Sequence, residues 1–184
     1  RDAMLTTYAD TLQEPDVTRL ASLERFLAER GGDLISAVHL LPFFPWTSDD
    51  GFSVSDYRAV DPAVGDWDDV EALTGRYELM FDAVINHASS KSAWFQDFKE
   101  GREPASGYFI RCDPSADYSA VVRPRALPLL TEATTVDGPA HVWTTFSDDQ
   151  VDLNYANPAL LLEILDVLLD YCAKGARFIR LDAI

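Results

Sequence analysis

Four short apolar runs divide the chain, and polar or aromatic residues follow each of them. Residues 3–7 (Ala-Met-Leu-Thr-Thr), 34–41, 78–85 and 178–182 have the length and apolar character of buried strands, and Pro42 ends the second. Between them the period changes to that of a helix. Residues 17–29 set Leu20, Leu23 and Leu27 on one face, with Asp16 as the expected N-cap and Gly31-Gly32 as the stop. Asp66 opens a second helix with Trp67, Val70, Leu73 and Tyr77 at helical spacing. Its first turn holds Asp68 and Asp69, where the helix dipole favours negative charge. The third helix has the clearest signals. Asn157 caps it, Pro158 takes the first turn, Leu161, Ile164, Leu165, Leu168 and Cys172 form the expected buried face, and Gly175 stops it.

The order is strand, helix, strand, helix, strand, a long irregular stretch, helix, strand. That alternation, with continuously apolar strands, predicts an α/β protein with a parallel sheet covered on both faces. The irregular stretch, residues 88–150, is too long for a simple connection in a compact domain. It reads as an inserted subdomain with small pieces of sheet, one of them at 140–145.

Bulk properties narrow the chemistry. With 184 residues, 47% of them hydrophobic, the chain can bury one sizeable core. A net charge of −16 argues against nucleic acid as a partner, because phosphate backbones need basic patches. No apolar run approaches a membrane span. The cysteines, Cys112 and Cys172, have no metal-ligand spacing and suggest no disulfide framework, so the expected compartment is the cytoplasm; Cys172 is expected in the core. No Gly-x-Gly-x-x-Gly follows the first strand, which argues against a dinucleotide cofactor.

The polar groups collect at one end of the strands. The second strand leads to Asp49, Asp50 and Phe52; the third ends Asp82-Ala83-Val84-Ile85-Asn86-His87; the fourth ends Arg180-Leu181-Asp182. Period-two alternation puts Arg180 and Asp182 on one face, where the guanidinium favours the ionised carboxylate. Taken alone, that pair is either a nucleophile with its partner or a structural ion pair at a strand end. In a barrel of alternating strands and helices, the strands' C-terminal ends carry the active site.

These residues carry a resemblance. Asp82-Ala83-Val84-Ile85-Asn86-His87 resembles the first signature of the α-amylase family (glycoside hydrolase family 13), and Arg180-x-Asp182 the second. Gln150-Val151-Asp152-Leu153-Asn154 is similar to the end of that family's inserted domain B. His39-Leu40-Leu41-Pro42-Phe43-Phe44-Pro45, Asp49-Asp50-Gly51-Phe52, Gly65-Asp66-Trp67-Asp68-Asp69 and Arg123-Pro124-Arg125 resemble the sucrose-phosphorylase-like branch, which includes enzymes for sucrose, sucrose 6′-phosphate and glucosylglycerate. Val142-Trp143-Thr144-Thr145-Phe146 looks more like the latter two than like sucrose phosphorylase proper.

The resemblance implies the N-terminal half of a (β/α)8 TIM barrel, strands one to four, with domain B inserted after strand three. The parts would be residues 1–87 and 151–184 for the barrel and 88–150 for the insertion. It implies a retaining α-glucoside phosphorylase with Asp182 as nucleophile and Arg180 holding it ionised. Asp49 and His87 would bind glucose hydroxyls, Phe52 would form an apolar wall, and Arg125 would face phosphate. Asp82 would order the site by hydrogen bonding. Asn86 matches a calcium ligand of many amylases, but the branch generally does without that ion, so no metal and no cofactor are expected. The partners would be an α-glucoside and inorganic phosphate. The family's acid/base glutamate and third carboxylate follow later strands, so the chain is expected to be an inactive fragment of a longer protein. A hydrolase or transglycosylase of the same family, and a non-catalytic binding domain derived from the barrel, are the alternatives.

Overall fold

The computed structural model describes residues 3–123 and 125–183. Pro124 of the Arg123-Pro124-Arg125 motif and Ile184 of the terminal run lie outside the described residues. In chain order the elements are β1 (Met4–Thr7), α1 (Arg19–Phe26), β2 (Ala37–Leu40), α2 (Trp67–Thr74), β3 (Glu78–Val84), β4 (His87–Ser89), α3 (Ala93–Lys99), β5 (Arg111–Cys112), β6 (Leu130–Thr135), β7 (Gly138–Trp143), β8 (Gln150–Asp152), α4 (Pro158–Ala173) and β9 (Ala176–Asp182).

The four expected strands form one parallel sheet in the order β1-β2-β3-β9. Its register sets Asp82 opposite Arg180 and Val84 opposite Asp182, so the candidate residues of two strands meet at one end. Val38, Leu40, Leu79, Phe81 and Ala83 are fully buried or nearly so. Behind the sheet the Phe44 and Tyr171 rings stack at 4.8 Å, and Phe81 meets Phe43 edge-on at 4.9 Å. Such pairs add about 0.5–1.5 kcal/mol beyond their buried area.

The segment between β3 and α4 leaves and returns side by side, because β4 and β8 pair antiparallel. Beyond them lies a separate antiparallel sheet, β5-β7-β6. Phe95, Phe98 and Phe109 cluster within 5.4 Å of one another, centre to centre, and give this segment an aromatic core of its own.

Several boundaries and faces differ from the sequence reading. Thr18, not Asp16, caps α1: its hydroxyl accepts from the Ala21 N–H, while Asp16 sits at a φ of 60° in a left-handed turn. The helix also ends earlier, in a wider turn from Leu27 to Gly31. Leu34 is exposed, because pairing with β1 begins only at Ala37. The small strand expected at 140–145 runs two residues earlier, as β7.

The largest correction concerns α4. Leu160, Ile164, Val167 and Tyr171 are buried, Leu168 is partly covered, and Leu161, Leu165 and Cys172 are exposed. The helix is apolar around most of its circumference, so periodicity offered two stripes and the packing used the other one. Among the described residues β9 lies at the edge of the sheet, as the last strand of half a barrel is expected to, with Phe178 and Leu181 exposed.

Candidate functional site

The C-terminal end of the sheet opens into a cleft of about 380 Å³ lined by Tyr8, Asp49, Asp50, Phe52, His87, Arg125, Phe146, Gln150 and Asp182. Five of the six candidate residues line it directly. The sixth, Arg180, lies behind it and holds Asp182: one guanidinium nitrogen is 2.8 Å from Asp182 Oδ1, and another bonds Asp82 Oδ1. Asp82 is wholly buried, and its other oxygen accepts from His39 Nε2 at 2.9 Å. Three strands thus feed one chain of contacts, His39–Asp82–Arg180–Asp182. The guanidinium sits 5.9 Å from the Phe52 ring centre, which restricts it further. The hydrogen bond to Asp82 is the largest cause raising the arginine's pKa, so the cation is fixed.

Asp49 and Phe52 sit at the tip of a loop whose base is closed like a hairpin. Trp46 bridges Val54, the Thr47 N–H donates to the Ser53 carbonyl at 3.1 Å, and the Ser55 N–H donates to Pro45 at 2.8 Å. At the tip Asp49 and Asp50 have φ of 56° and 51°, a conformation Asp tolerates better than most residues, followed by Gly51 at 99°. A Cβ at Gly51 would lie 2.9 Å from the Pro42 carbonyl oxygen, so glycine is needed twice over.

His87 is buried and wired on both sides. Its Nε2–H donates to the Phe52 carbonyl at 2.7 Å, and the Asn86 amide is 3.3 Å from Nδ1 as a donor. That arrangement fixes the neutral tautomer. Burial is the main cause pushing its pKa below the ordinary histidine value. Asn86 also donates to Asp152, so its amide serves the fold here. Among the described residues no cluster of three or more His, Cys, Asp or Glu could hold a metal ion.

Arg125 reaches the mouth of the cleft from the inserted segment, 3.6 Å from Asp49 Oδ1, with both side chains substantially exposed.

The sequence reading did not single out Tyr8, Phe146 or Gln150 as site residues. Gln150 is buried; its amide donates to Asp49 Oδ2 at 3.0 Å and to the Phe52 carbonyl at 3.1 Å, and its oxygen accepts from Ser147. Phe146 stands 5.2 Å from the His87 ring. Tyr8 follows β1 directly, at the same end of the sheet; burial and the charge of Asp50 push its phenol pKa up. That placement, one residue past a strand end, is the signal that could have found it.

The arrangement pairs a half-enclosed carboxylate with a fixed cation, two aromatic walls and hydrogen-bonding groups for a small polar molecule. The family of proteins that builds such a site on this fold is identified by comparison. The chain belongs to the α-amylase family: the alpha amylase catalytic domain matches residues 32–184. It is 52% identical over 183 residues to the glucosylglycerate phosphorylase of Spirochaeta thermophila, covering 100% of this chain and 31% of that protein. It is 38% identical to the sucrose phosphorylase of Streptococcus mutans, covering 98% and 39%. In structure it resembles the sucrose 6F-phosphate phosphorylase from Thermoanaerobacter thermosaccharolyticum with a TM-score of 0.89 at 28% identity, covering 99% of this chain and 39% of that one. The four-stranded sheet is therefore the first half of a (β/α)8 barrel. The chain spans about a third of the length of the curated relatives it matches. Among the described residues no helix is long and apolar enough to cross a membrane.

Proposed function

We propose that this chain is part of a retaining α-glucoside phosphorylase, and that glucosylglycerate is its preferred donor. The observation that carries the reading is the Asp182 carboxylate in the cleft, gripped by an arginine that a buried carboxylate holds in turn. Asp182 attacks the anomeric carbon, the bond to the aglycone breaks, and a glucosyl ester forms; an oxygen of inorganic phosphate then attacks the same carbon, releasing Asp182 and giving α-glucose 1-phosphate. The Phe52 ring walls the side of the sugar where positive charge develops. Asp49 takes a hydroxyl, and the His87 Nε2–H, now on the Phe52 carbonyl, is the donor a second hydroxyl shares. Arg125, 3.6 Å from exposed Asp49 at the cleft mouth, turns to phosphate, which a guanidinium suits by shape and charge.

We assign the leaving group's proton to a residue in the part of the relatives that this chain does not span, and on that assignment the chain alone does not turn over. We assign residues 1–87 and 151–184 to the barrel and 88–150 to domain B, with no resident cofactor. The paired strands at the neck of the insertion support that division. Both cysteines are free, which supports a cytoplasmic enzyme. Identities of 52% and 38% to the two kinds of relative favour glucosylglycerate over sucrose.

The test is to quench the full-length protein with acid during turnover and weigh its peptides. The peptide holding Asp182 gains one glucosyl unit, and Asp182→Asn lowers kcat by at least about a thousandfold. An unmodified peptide together with a fully active variant contradicts the reading.

A further inference from the structure

One carboxylate outside the catalytic chain gathers an unusual number of donors. Asp149 lies in the short turn before β8, next to Gln150. Its Oδ2 accepts from Thr47 and Ser48 at 2.6 Å each and from Ser53 at 2.8 Å; its Oδ1 accepts from Ser90 at 2.7 Å, with the Ser89 hydroxyl 3.3 Å away. Thr47 donates its proton to Asp149, so the Ser89 hydroxyl, 2.6 Å from Thr47 Oγ1, donates there, and four hydroxyls fill the carboxylate's roughly four lone-pair sites. Burial alone would raise its pKa, but the hydroxyls of Ser48, Thr47, Ser90 and Ser53 outweigh that and bring it down to about 2.

The donors come from two places. Thr47, Ser48 and Ser53 are the base of the hairpin-like loop whose tip bears Asp49 and Phe52. Ser89 ends the strand that begins at His87, and Ser90 follows it. The main chain repeats the link, since the Ser90 N–H donates to the Asp149 carbonyl and the Ser89 N–H to Val54, each at 2.8 Å.

We propose that Asp149 is a positioning residue. It clamps the base of loop 47–53 to the neck of the insertion and so fixes the distance of Asp49 and Phe52 from Asp182. Its part in catalysis rests on the function proposed above; its clamping of the loop does not. The carboxylate suits the task because it only accepts, so the hydroxyls of Thr47, Ser48, Ser53 and Ser90 must all point inward at once. An amide in its place keeps the shape but has one acceptor oxygen, and the hydroxyls facing its nitrogen must turn round.

The experiment compares wild type with Asp149→Asn and the milder Thr47→Val in the full-length protein. Amide hydrogen exchange is read over residues 47–53 and steady-state kinetics per folded molecule. Exchange in that segment is expected to rise at least about tenfold in Asp149→Asn, and less in Thr47→Val. A loop tip displaced by an ångström is worth about a hundredfold in rate, so kcat of Asp149→Asn falls about 10–100-fold while KM changes less than about threefold. Unchanged exchange over 47–53 in both variants overturns the proposal. So does faster exchange with an unchanged kcat per folded molecule, because Asp149 would then be structural only. If the wild type releases no glucose 1-phosphate from any α-glucoside, the functional reading fails, and the exchange measurement still decides whether Asp149 clamps the loop.

Discussion

A buried histidine with a lowered pKa leaves a thermodynamic trace. The folded protein holds His87 neutral, with its Nε2–H on the Phe52 carbonyl, while the unfolded chain protonates it near the ordinary value of about 6.5. As pH falls below that value the unfolded state binds more protons, so His87's contribution to stability shrinks until the lower, folded pKa is reached. Urea unfolding of wild type and His87→Gln across that range checks this. The wild type's advantage is greatest above about pH 7 and narrows as the solution is acidified. A gap independent of pH would show that burial does not hold the ring neutral. Residue types that chemistry restricts were legible beforehand: Asp182, Arg180, His87 and Asp49 all stand at one end of the sheet. Gln150, Tyr8 and Asp149 were not, because an amide, a phenol or a carboxylate on a loop gains its meaning only from neighbours up to about a hundred positions away, as in the Gln150–Asp49 contact.

At the scale of elements, local signals decided where helices begin. Asp66 accepts from the Asp68 and Asp69 N–H groups, and the Asp69 carboxylate accepts from the Asp66 N–H, a complete reciprocal cap. Asp66→Ala is expected to lower stability by about 1 kcal/mol, seen as a shifted unfolding midpoint with an unchanged slope. A midpoint within error of wild type would mean that Trp67, Val70 and Leu73 hold α2 unaided. What local signals could not decide was which face of α4 packs. Its sequence carries leucines at most positions, and only the sheet behind it distinguishes Leu160 and Val167 from Leu161 and Leu165. The same limit applies to α1, where Asp16 and Thr18 are both competent caps and the chain's turn into the helix selects Thr18.

At the scale of the molecule, both edges of the parallel sheet are open among the described residues. There β1 pairs with β2 and β9 with β3, and Leu162 and Leu169 of α4 are 67% exposed. In the proposed full-length enzyme the remaining strands and helices meet these edges and bring the proton donor over the cleft. In that proposal the first half contributes Asp182 as nucleophile, Arg180 as its cation and the floor of the sugar site. That division explains why sequence order predicted the architecture well: a parallel sheet built strand by strand from neighbouring units needs little long-range information. The inserted segment was harder, since its sheet depends on strands that pair across the whole insertion, as β5 does with β7.

In the proposed reaction phosphate, not water, accepts the glucosyl unit. The most direct measurement incubates the full-length protein with glucosylglycerate, sucrose or sucrose 6′-phosphate, with and without inorganic phosphate, and assays α-glucose 1-phosphate and free glucose. The expected product is α-glucose 1-phosphate that depends on phosphate and forms fastest from glucosylglycerate. Free glucose released at a rate indifferent to phosphate would contradict it, leaving the barrel and Asp182 in place but making the enzyme a hydrolase.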